Sequence, residues 1–145
     1  DTADWTGVHI RSINVGAAKH DKFLCHGVRY VNETEIMLAQ LLWKVRLPFT
    51  PNVRFILDLV TGGKHPQRVY VPDFIFDGKA YVWDDGDGPE LIHGIEAKGG
   101  TFSRRAQQNV QLLREQRRIH VRLFNRKDIV EYTRRGSLPI RPLLP

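Results

Sequence analysis

The 145-residue sequence has a single cysteine, no long apolar run and few acidic residues in its last third. One cysteine, Cys25, excludes an intrachain disulfide and is compatible with a reducing compartment. No apolar stretch approaches the ~18 residues of a membrane-spanning helix, so we expect no membrane partner. No internal repeat or low-complexity tract is present. These absences favour one globular domain that is held together by its hydrophobic core.

The charges are distributed unevenly along the chain. The net charge is +6, with 22 Lys and Arg against 16 Asp and Glu. Residues 1–100 contain 11 Lys/Arg and 13 Asp/Glu, whereas residues 101–145 contain 11 and 3. A basic surface beside a group of carboxylates suits a polyanion that is handled together with a cation. A solvated basic helix or an acidic protein partner would give the same totals, and charge alone leaves these alternatives open.

Hydrophobic periodicity predicts the element order α-β-β-β-α-β, followed by a short basic helix. The predicted helices span residues 32–46, 103–118 and 126–135. The predicted strands span residues 53–60, 68–76, 91–98 and 119–124, and Pro72 interrupts the second strand. Three strands that can pair as a meander, with a helix crossing over to a fourth, predict an α/β fold with one mixed central sheet flanked by helices.

We therefore expect a single domain in three parts: an N-terminal segment (1–31), an αβββαβ core (32–124), and a basic C-terminal helix and tail (125–145). The N-terminal segment has no clean period and receives no prediction of secondary structure. The polar stretch from 77 to 90 is predicted as a loop that can carry a small hairpin around Tyr81–Trp83. The proline-rich tail after Gly136 is predicted as loop.

Three acidic residues and one lysine occupy informative positions in this order. Asp73 follows Pro72 in the second strand. Glu96 and Lys98 lie two positions apart in the third strand, so their side chains share a face. Glu35 lies in the first turn of the first helix, on its core-facing side, whereas Glu33 lies off that face. If the second and third strands pair, we expect Asp73, Glu96 and Lys98 to converge at one sheet edge.

This set of residue types suits phosphodiester hydrolysis, which needs a nucleophilic water and charge relief at the phosphate. Mg²⁺ supplies both, and it prefers carboxylate and carbonyl oxygens. Asp73, Glu96 and the backbone carbonyl of Ala97 are the candidate ligands. Lys98 could hold the water and neutralise developing charge. Glu35 could bind a second ion or fix Lys98, and a capping-box role in its helix is the alternative.

The strand sequences Val-Pro-Asp73-Phe-Ile-Phe and Gly-Ile-Glu96-Ala-Lys98-Gly resemble the motifs of the PD-(D/E)XK nuclease superfamily. Asn32-Glu-Thr-Glu35 is similar to a helix-start motif that carries a catalytic glutamate in several members. Tyr70-Val-Pro-Asp73-Phe resembles the corresponding strand of phage-type Holliday-junction resolvases and of the endonuclease subunits of two-part transposases. The similar region runs from about Asn32 to Phe124. Restriction-type and homing endonucleases of the same superfamily remain alternatives.

The resemblance implies a restriction-endonuclease-like core and a Mg²⁺-dependent DNA endonuclease that leaves 5′-phosphate ends, with Mn²⁺ able to substitute. By position it assigns Asp73 and Glu96 as metal ligands, Lys98 as the water-positioning residue and Glu35 as the auxiliary acid. One site cuts one strand, so a homodimer or a partner subunit is expected for double-strand cleavage. We expect a cytoplasmic, prokaryotic or phage-like setting, in recombination, transposition, restriction or repair. A nuclease-like fold that only binds nucleic acid or scaffolds an assembly is the alternative, and an RNA substrate stays open.

Polar residues at the start of the second predicted helix are candidates for DNA phosphate contacts. They are Arg104, Arg105, Gln107, Gln108 and Arg114, and ordinary solvated surface is the alternative for them.

Weaker patterns are interpreted structurally. A zinc site at His20, Cys25 and His26 lacks a fourth ligand. The aspartates at 84, 85 and 87 lack EF-hand spacing and favour a solvated turn. Residues 61–64 lack phosphate-loop spacing, and Trp5, Trp43 and Trp83 are expected to pack.

Overall fold

The computed structural model describes residues 1–10, 24–59, 66–77 and 79–143. Within these ranges the helices are α1 (Glu33–Lys44), α2 (Arg104–Arg117) and α3 (Arg126–Arg135). The strands are β1 (His9–Ile10), β2 (Leu24–Cys25), β3 (Val28–Arg29), β4 (Phe49–Thr50), β5 (Val53–Asp58), β6 (Gln67–Tyr70), β7 (Phe74–Phe76), β8 (Tyr81–Trp83), β9 (Glu90–Ile92), β10 (Gly94–Lys98), β11 (Val121–Asn125) and β12 (Ile140–Pro142). The α/β class and the three predicted helices are confirmed.

Capping residues explain where the helices begin. The side chain of Asn32 accepts a hydrogen bond from the Glu35 N–H at the start of α1. Ser103 accepts from the Ala106 N–H at the start of α2 in the same way. Asn125 and Asp128 form a complete capping box at the start of α3. Each cap pairs an amide that has no partner within its own helix, which sets the first residue of the helix.

A four-stranded mixed sheet in the order β11-β10-β7-β4 forms the centre of the fold. β10 pairs antiparallel with β7, and Gly94 lies opposite Ile75. On its other side β10 runs parallel to β11, with Lys98 opposite Asn125. Parallel neighbours need a crossover connection, and α2 provides it. The predicted pairing of the second and third strands, and the presence of a mixed sheet, are therefore confirmed. The prediction of one sheet was wrong, because β5, the first predicted strand, pairs with β1 and β6 in a separate three-stranded sheet.

Pro72 divides the predicted second strand into two strands with different partners. β6 pairs with β5, whereas β7 pairs with β4 and β10. Proline has no N–H to donate to a ladder, so a break at this position follows from its chemistry. The break leaves Asp73 between the two strands, beside the last residues of β10. The Ala97 N–H there donates to Asp73 Oδ2 over 2.8 Å instead of to a strand carbonyl.

The insertion between the second and third predicted strands does loop out and forms a hairpin. β8 pairs antiparallel with β9, with Tyr81 opposite Ile92. His93 separates β9 from β10, so the predicted strand 91–98 is two strands. The prediction that the tail after Gly136 is loop was wrong for its last described part. β12 adds to the free edge of β8, because an unpaired edge leaves backbone donors and acceptors available to a neighbouring segment.

Two groups of apolar side chains cover the two faces of the central strands. α1 and α3 pack on the face that carries Phe74, Ile95 and Phe124, whereas the other group includes Ile75 and residues of α2. Ile95 and Ala97 of β10 both belong to the α1 side. Side chains alternate along a strand, so Glu96 and Lys98 project to the opposite face. The core thereby fixes the direction of both predicted site residues of β10.

We predict that Gly94→Ala destabilises the protein. An alanine Cβ at this position would lie closer than 3.0 Å to the Phe74 carbonyl oxygen and to the Ile75 side chain, where β7 and β10 approach. The free energy of unfolding should fall by about 1–3 kcal/mol, as in other overpacked interiors. Gly100→Ala is the control, since nothing lies within 4 Å of its added Cβ. Equal denaturant midpoints for the two variants would contradict this account of β10 packing.

Candidate active site

The four predicted site residues come from three separate elements, and the structure brings them together. Glu35 lies in the first turn of α1, Asp73 lies between β6 and β7, and Glu96 and Lys98 lie on β10. The Asp73 carboxyl group lies within hydrogen-bonding reach of that of Glu35 and close enough to that of Glu96 for charge repulsion. Lys98 Nζ lies 3.6 Å from Glu96 Oε2. Three carboxyl groups and one ammonium group therefore share one small region, while their chemical roles remain predictions.

The Glu35 side chain contacts both the backbone before α1 and this cluster. Its Oε2 accepts a hydrogen bond from the Val31 N–H over 3.0 Å, one residue before the cap residue Asn32. This bond holds the side chain beside the helix start, where it also interacts with Asp73. In a capping box Glu35 would accept from the N–H of the cap residue Asn32, so its bond to Val31 is not the predicted capping box, and it is compatible with the site assignment. Glu33 is directed elsewhere, since it pairs with Arg126 of α3 at 3.1 Å.

Burial dominates the electrostatics of the cluster. Loss of hydration raises the pKa of Asp73 to about 9, and the Glu35 and Glu96 carboxyl groups add to the effect. The Ala97 N–H acts in the opposite direction because it stabilises the carboxylate. Glu96 is only 5% exposed, and its pKa is also raised by burial, against the attraction of Lys98. Asp73 and Glu96 therefore lack sufficient nearby positive charge to favour ionisation of both.

Such a cluster fits a hard divalent cation by its donor chemistry. Asp73 and Glu96 offer carboxylate oxygens, and the N–H and C=O of a strand residue project to the same edge. The Ala97 N–H meets Asp73, so the Ala97 carbonyl faces the Asp73 edge as well. Across the described parts of the chain, no three His, Cys, Asp or Glu side chains form a ready-made metal centre. Mg²⁺ commonly uses only one or two carboxylates and keeps several waters, and this donor set fits that requirement.

The five candidate DNA-binding residues of α2 are all exposed, but they differ in position and partners. Arg104 and Arg105 open the helix, a few residues after Lys98. Gln107 donates to the Phe102 carbonyl oxygen, and Gln108 accepts from Arg68 of β6 at 2.8 Å. Arg114 lies ten residues beyond Arg104, about 15 Å along the helix axis. Only the two arginines of the first turn therefore combine a cationic group with a position close to Lys98 in the sequence.

Two residues of β6 near the site were missed as functional candidates. Arg68 donates to Gln108 and Asn109 of α2, which ties β6 to that helix. Tyr70 is 4% exposed, and its ring packs on the same face of the sheet to which Glu96 projects. The alternation of side chains along β6 marks both positions as strand residues. The residues that they contact lie far away in the sequence, so no local pattern predicts these contacts.

The weaker sequence patterns are structural where the structure describes them. Gly86 N–H donates to Asp84, and Asp87 N–H donates to Asp85, as expected for a solvated turn. Of the zinc candidates, Cys25 is buried and His26 stacks on Trp43, whereas His20 lies outside the described residues. Residues 61–64 also lie outside them. Trp83 is buried and Trp5 packs against the core, but Trp43 is 49% exposed, so the packing prediction is wrong in part for Trp43.

Comparison of the chain with protein-family models, curated proteins and solved structures found no match. Among the described helices, none has the length and apolar character to cross a membrane. The resemblance to the PD-(D/E)XK superfamily consequently rests on the strand motifs and on the clustering of their side chains.

We predict that Asp73→Asn stabilises the cation-free protein at about pH 8. Below the ordinary aspartate pKa of 3.8 both the folded and the unfolded protein hold the proton. Between 3.8 and about 9 the folded protein retains a proton that the unfolded chain releases, so the free energy of unfolding falls as pH rises through this window. Asparagine is neutral at every pH and still accepts from the Ala97 N–H.

The measurement is thermal unfolding in EDTA at about pH 8 and about pH 4. The variant should gain about 1 kcal/mol or more at the higher pH, or roughly 3 °C per kcal/mol, and the gain should shrink at the lower pH. Asp87→Asn, in the exposed loop after β8, is the matched control. A wild-type protein as stable as Asp73→Asn at about pH 8 would show that Asp73 is not held protonated.

Proposed function

We propose that this chain is a Mg²⁺-dependent DNA endonuclease of the PD-(D/E)XK type that hydrolyses phosphodiester bonds. The observation that carries the proposal is the juxtaposition of Glu35, Asp73, Glu96 and Lys98, which are contributed by α1, the β6–β7 bend and β10. Burying several carboxyl groups together is unfavourable unless a cation compensates them. A single lysine that is 37% exposed is insufficient compensation.

Each residue of the cluster has a proposed role in hydrolysis that follows from its chemistry. Asp73, Glu96 and the Ala97 carbonyl would hold the cation, with Glu35 available to a second ion. A cation there supplies charge neutralisation at the scissile phosphate and activation of a water nucleophile. Lys98 directs its ammonium group towards solvent beside Glu96, where it can hold the attacking water. The water oxygen bonds to phosphorus, the bond to the 3′ oxygen breaks, and a 5′-phosphate and a 3′-hydroxyl result.

Arg104 and Arg105 are the residues best placed to hold the phosphate backbone beside the site. Both are exposed in the first turn of α2, where the helix dipole also favours an anion. DNA rather than RNA is proposed because of the resemblance to the nuclease superfamily. A homodimer or a partner subunit would be needed to cut both strands of a duplex.

We predict that Lys98→Ala reduces cleavage by at least about 100-fold, as is usual when a preorganised electrostatic stabiliser is removed. DNA affinity should change little, because one exposed charge contributes little to binding. The measurement is Mg²⁺-dependent cleavage of supercoiled plasmid and of a four-way junction, with EDTA as the negative control. Lys79→Ala removes the same charge from an exposed position just before β8 and should cleave normally.

Two outcomes of this experiment would contradict the proposed role of Lys98 or the proposed catalytic activity. Cleavage by Lys98→Ala at the wild-type rate would contradict its role. Salt-sensitive binding without cleavage of either substrate by the wild-type protein would favour the non-catalytic alternative. Preference for the junction would indicate a resolvase, whereas plain duplex cutting would indicate restriction or transposition.

A separate prediction concerns the arginines of α2. The double variant Arg104→Ala/Arg105→Ala should bind DNA more weakly, and the slope of log affinity against log salt should become shallower by about 2, because two phosphate contacts are lost. Arg134→Ala/Arg135→Ala is the matched control, since those arginines pair with Glu131 in the last turn of α3. Equal slopes for the two double variants would remove the first turn of α2 from the DNA interface.

A further inference from the structure

We infer that Tyr70 is a positioning residue for Glu96: its hydroxyl group orients the Glu96 carboxylate for cation binding. The inference rests on the proposed function, since it assigns a role within the same site. Tyr70 is the last residue of β6, two positions before Pro72. It is the nearest strand residue before the bend that carries Asp73.

The placement of Tyr70 directs its side chain to the cluster. Tyr70 is 96% buried and packs with Ile75 and Val121, on the side of the sheet covered by α2. Glu96 projects to this side because Ile95 and Ala97, on either side of it, pack against α1. The Tyr70 hydroxyl interacts with the carboxyl groups of Glu96 and Asp73. These two residues are the proposed carboxylate ligands.

The hydroxyl group has no hydrogen bond of ordinary geometry among the described residues. A buried hydroxyl without such a bond destabilises a protein, and phenylalanine would fill the same space without that penalty. The Tyr70 hydroxyl group is therefore an unused hydrogen-bond donor at the boundary of the site. Glu96 is the acceptor group with which this hydroxyl interacts.

The two proposed carboxylate ligands, Asp73 and Glu96, differ in how their side chains are held in place. Asp73 is already oriented, because its Oδ2 accepts from the Ala97 N–H. Glu96 is paired with Lys98, whose Nζ lies 3.6 Å from its Oε2 and whose side chain is 37% exposed. Carboxylate ligands of metals are generally held by a further hydrogen bond, and losing that partner typically weakens metal affinity by about 10–100-fold. Tyr70 is a buried donor that is placed to hold Glu96 in this way.

Tyr70→Phe tests the inference, because it removes only the hydroxyl group. Mg²⁺ and Ca²⁺ affinity is measured by calorimetry, and unfolding temperature is measured in EDTA. We expect an affinity about 10-fold weaker and an unfolding temperature that is unchanged or slightly higher. Cleavage should need about 10-fold more Mg²⁺ for half-maximal rate and recover to within about threefold at saturating Mg²⁺.

Tyr132→Phe is the control, because Tyr132 packs on Trp83 and Phe124, among residues of the core away from the cluster. Tyr30 is unsuitable for this purpose, since it lies beside Glu35. Unchanged cation affinity in Tyr70→Phe would overturn the positioning role and leave the proposed function intact. A lower unfolding temperature together with weaker binding would also overturn it, since the hydroxyl would then be structural. A wild-type protein that neither binds the cations nor cleaves DNA would overturn both proposals.

Discussion

The hydrogen bond from the Ala97 N–H to Asp73 is the interaction on which the arrangement of the site depends. Pro72 cannot donate to a strand ladder, so β6 and β7 separate there and the edge of β10 is left without a neighbouring strand. Asp73 takes the place of the missing strand carbonyl. The close approach of β7 and β10 at Gly94 keeps Asp73 within reach of this edge. This hydrogen bond pairs a backbone N–H that has no strand partner, and it also holds the Asp73 carboxyl group beside Glu96.

The cluster that results is electrostatically incomplete. Glu35, Asp73 and Glu96 are close enough for burial and mutual repulsion to raise the pKa of Asp73 to about 9. Lys98 pairs with Glu96 across 3.6 Å and is 37% exposed, so it compensates the cluster only in part. Binding of a divalent ion would offset the free-energy cost of burying these carboxyl groups together, because the ion supplies the missing positive charge. A purely structural role for the cluster offers no comparable compensation.

The parts of the fold that depend on local sequence could be predicted. Asn32 and Ser103 mark helix starts, and the spacing of Glu96 and Lys98 places them on one strand face. The addition of β12 to β8 could not be predicted, because a strand edge accepts any suitable segment. The contacts of Arg68 with α2 and of Glu33 with Arg126 span 40 and 93 residues. Such pairings depend on the assembled fold, as does the position of the Tyr70 hydroxyl beside Glu96.

Nicking of supercoiled plasmid by the wild-type protein and by Asp73→Ala, each with Mg²⁺ or with EDTA, tests the central claim most directly. The account predicts that only the wild-type protein nicks the plasmid, and only with Mg²⁺ present. The folded state of the variant is checked by its thermal unfolding. Cleavage that persists in EDTA, or in a folded Asp73→Ala protein, would contradict the assignment of this carboxyl cluster as a cation-dependent nuclease site.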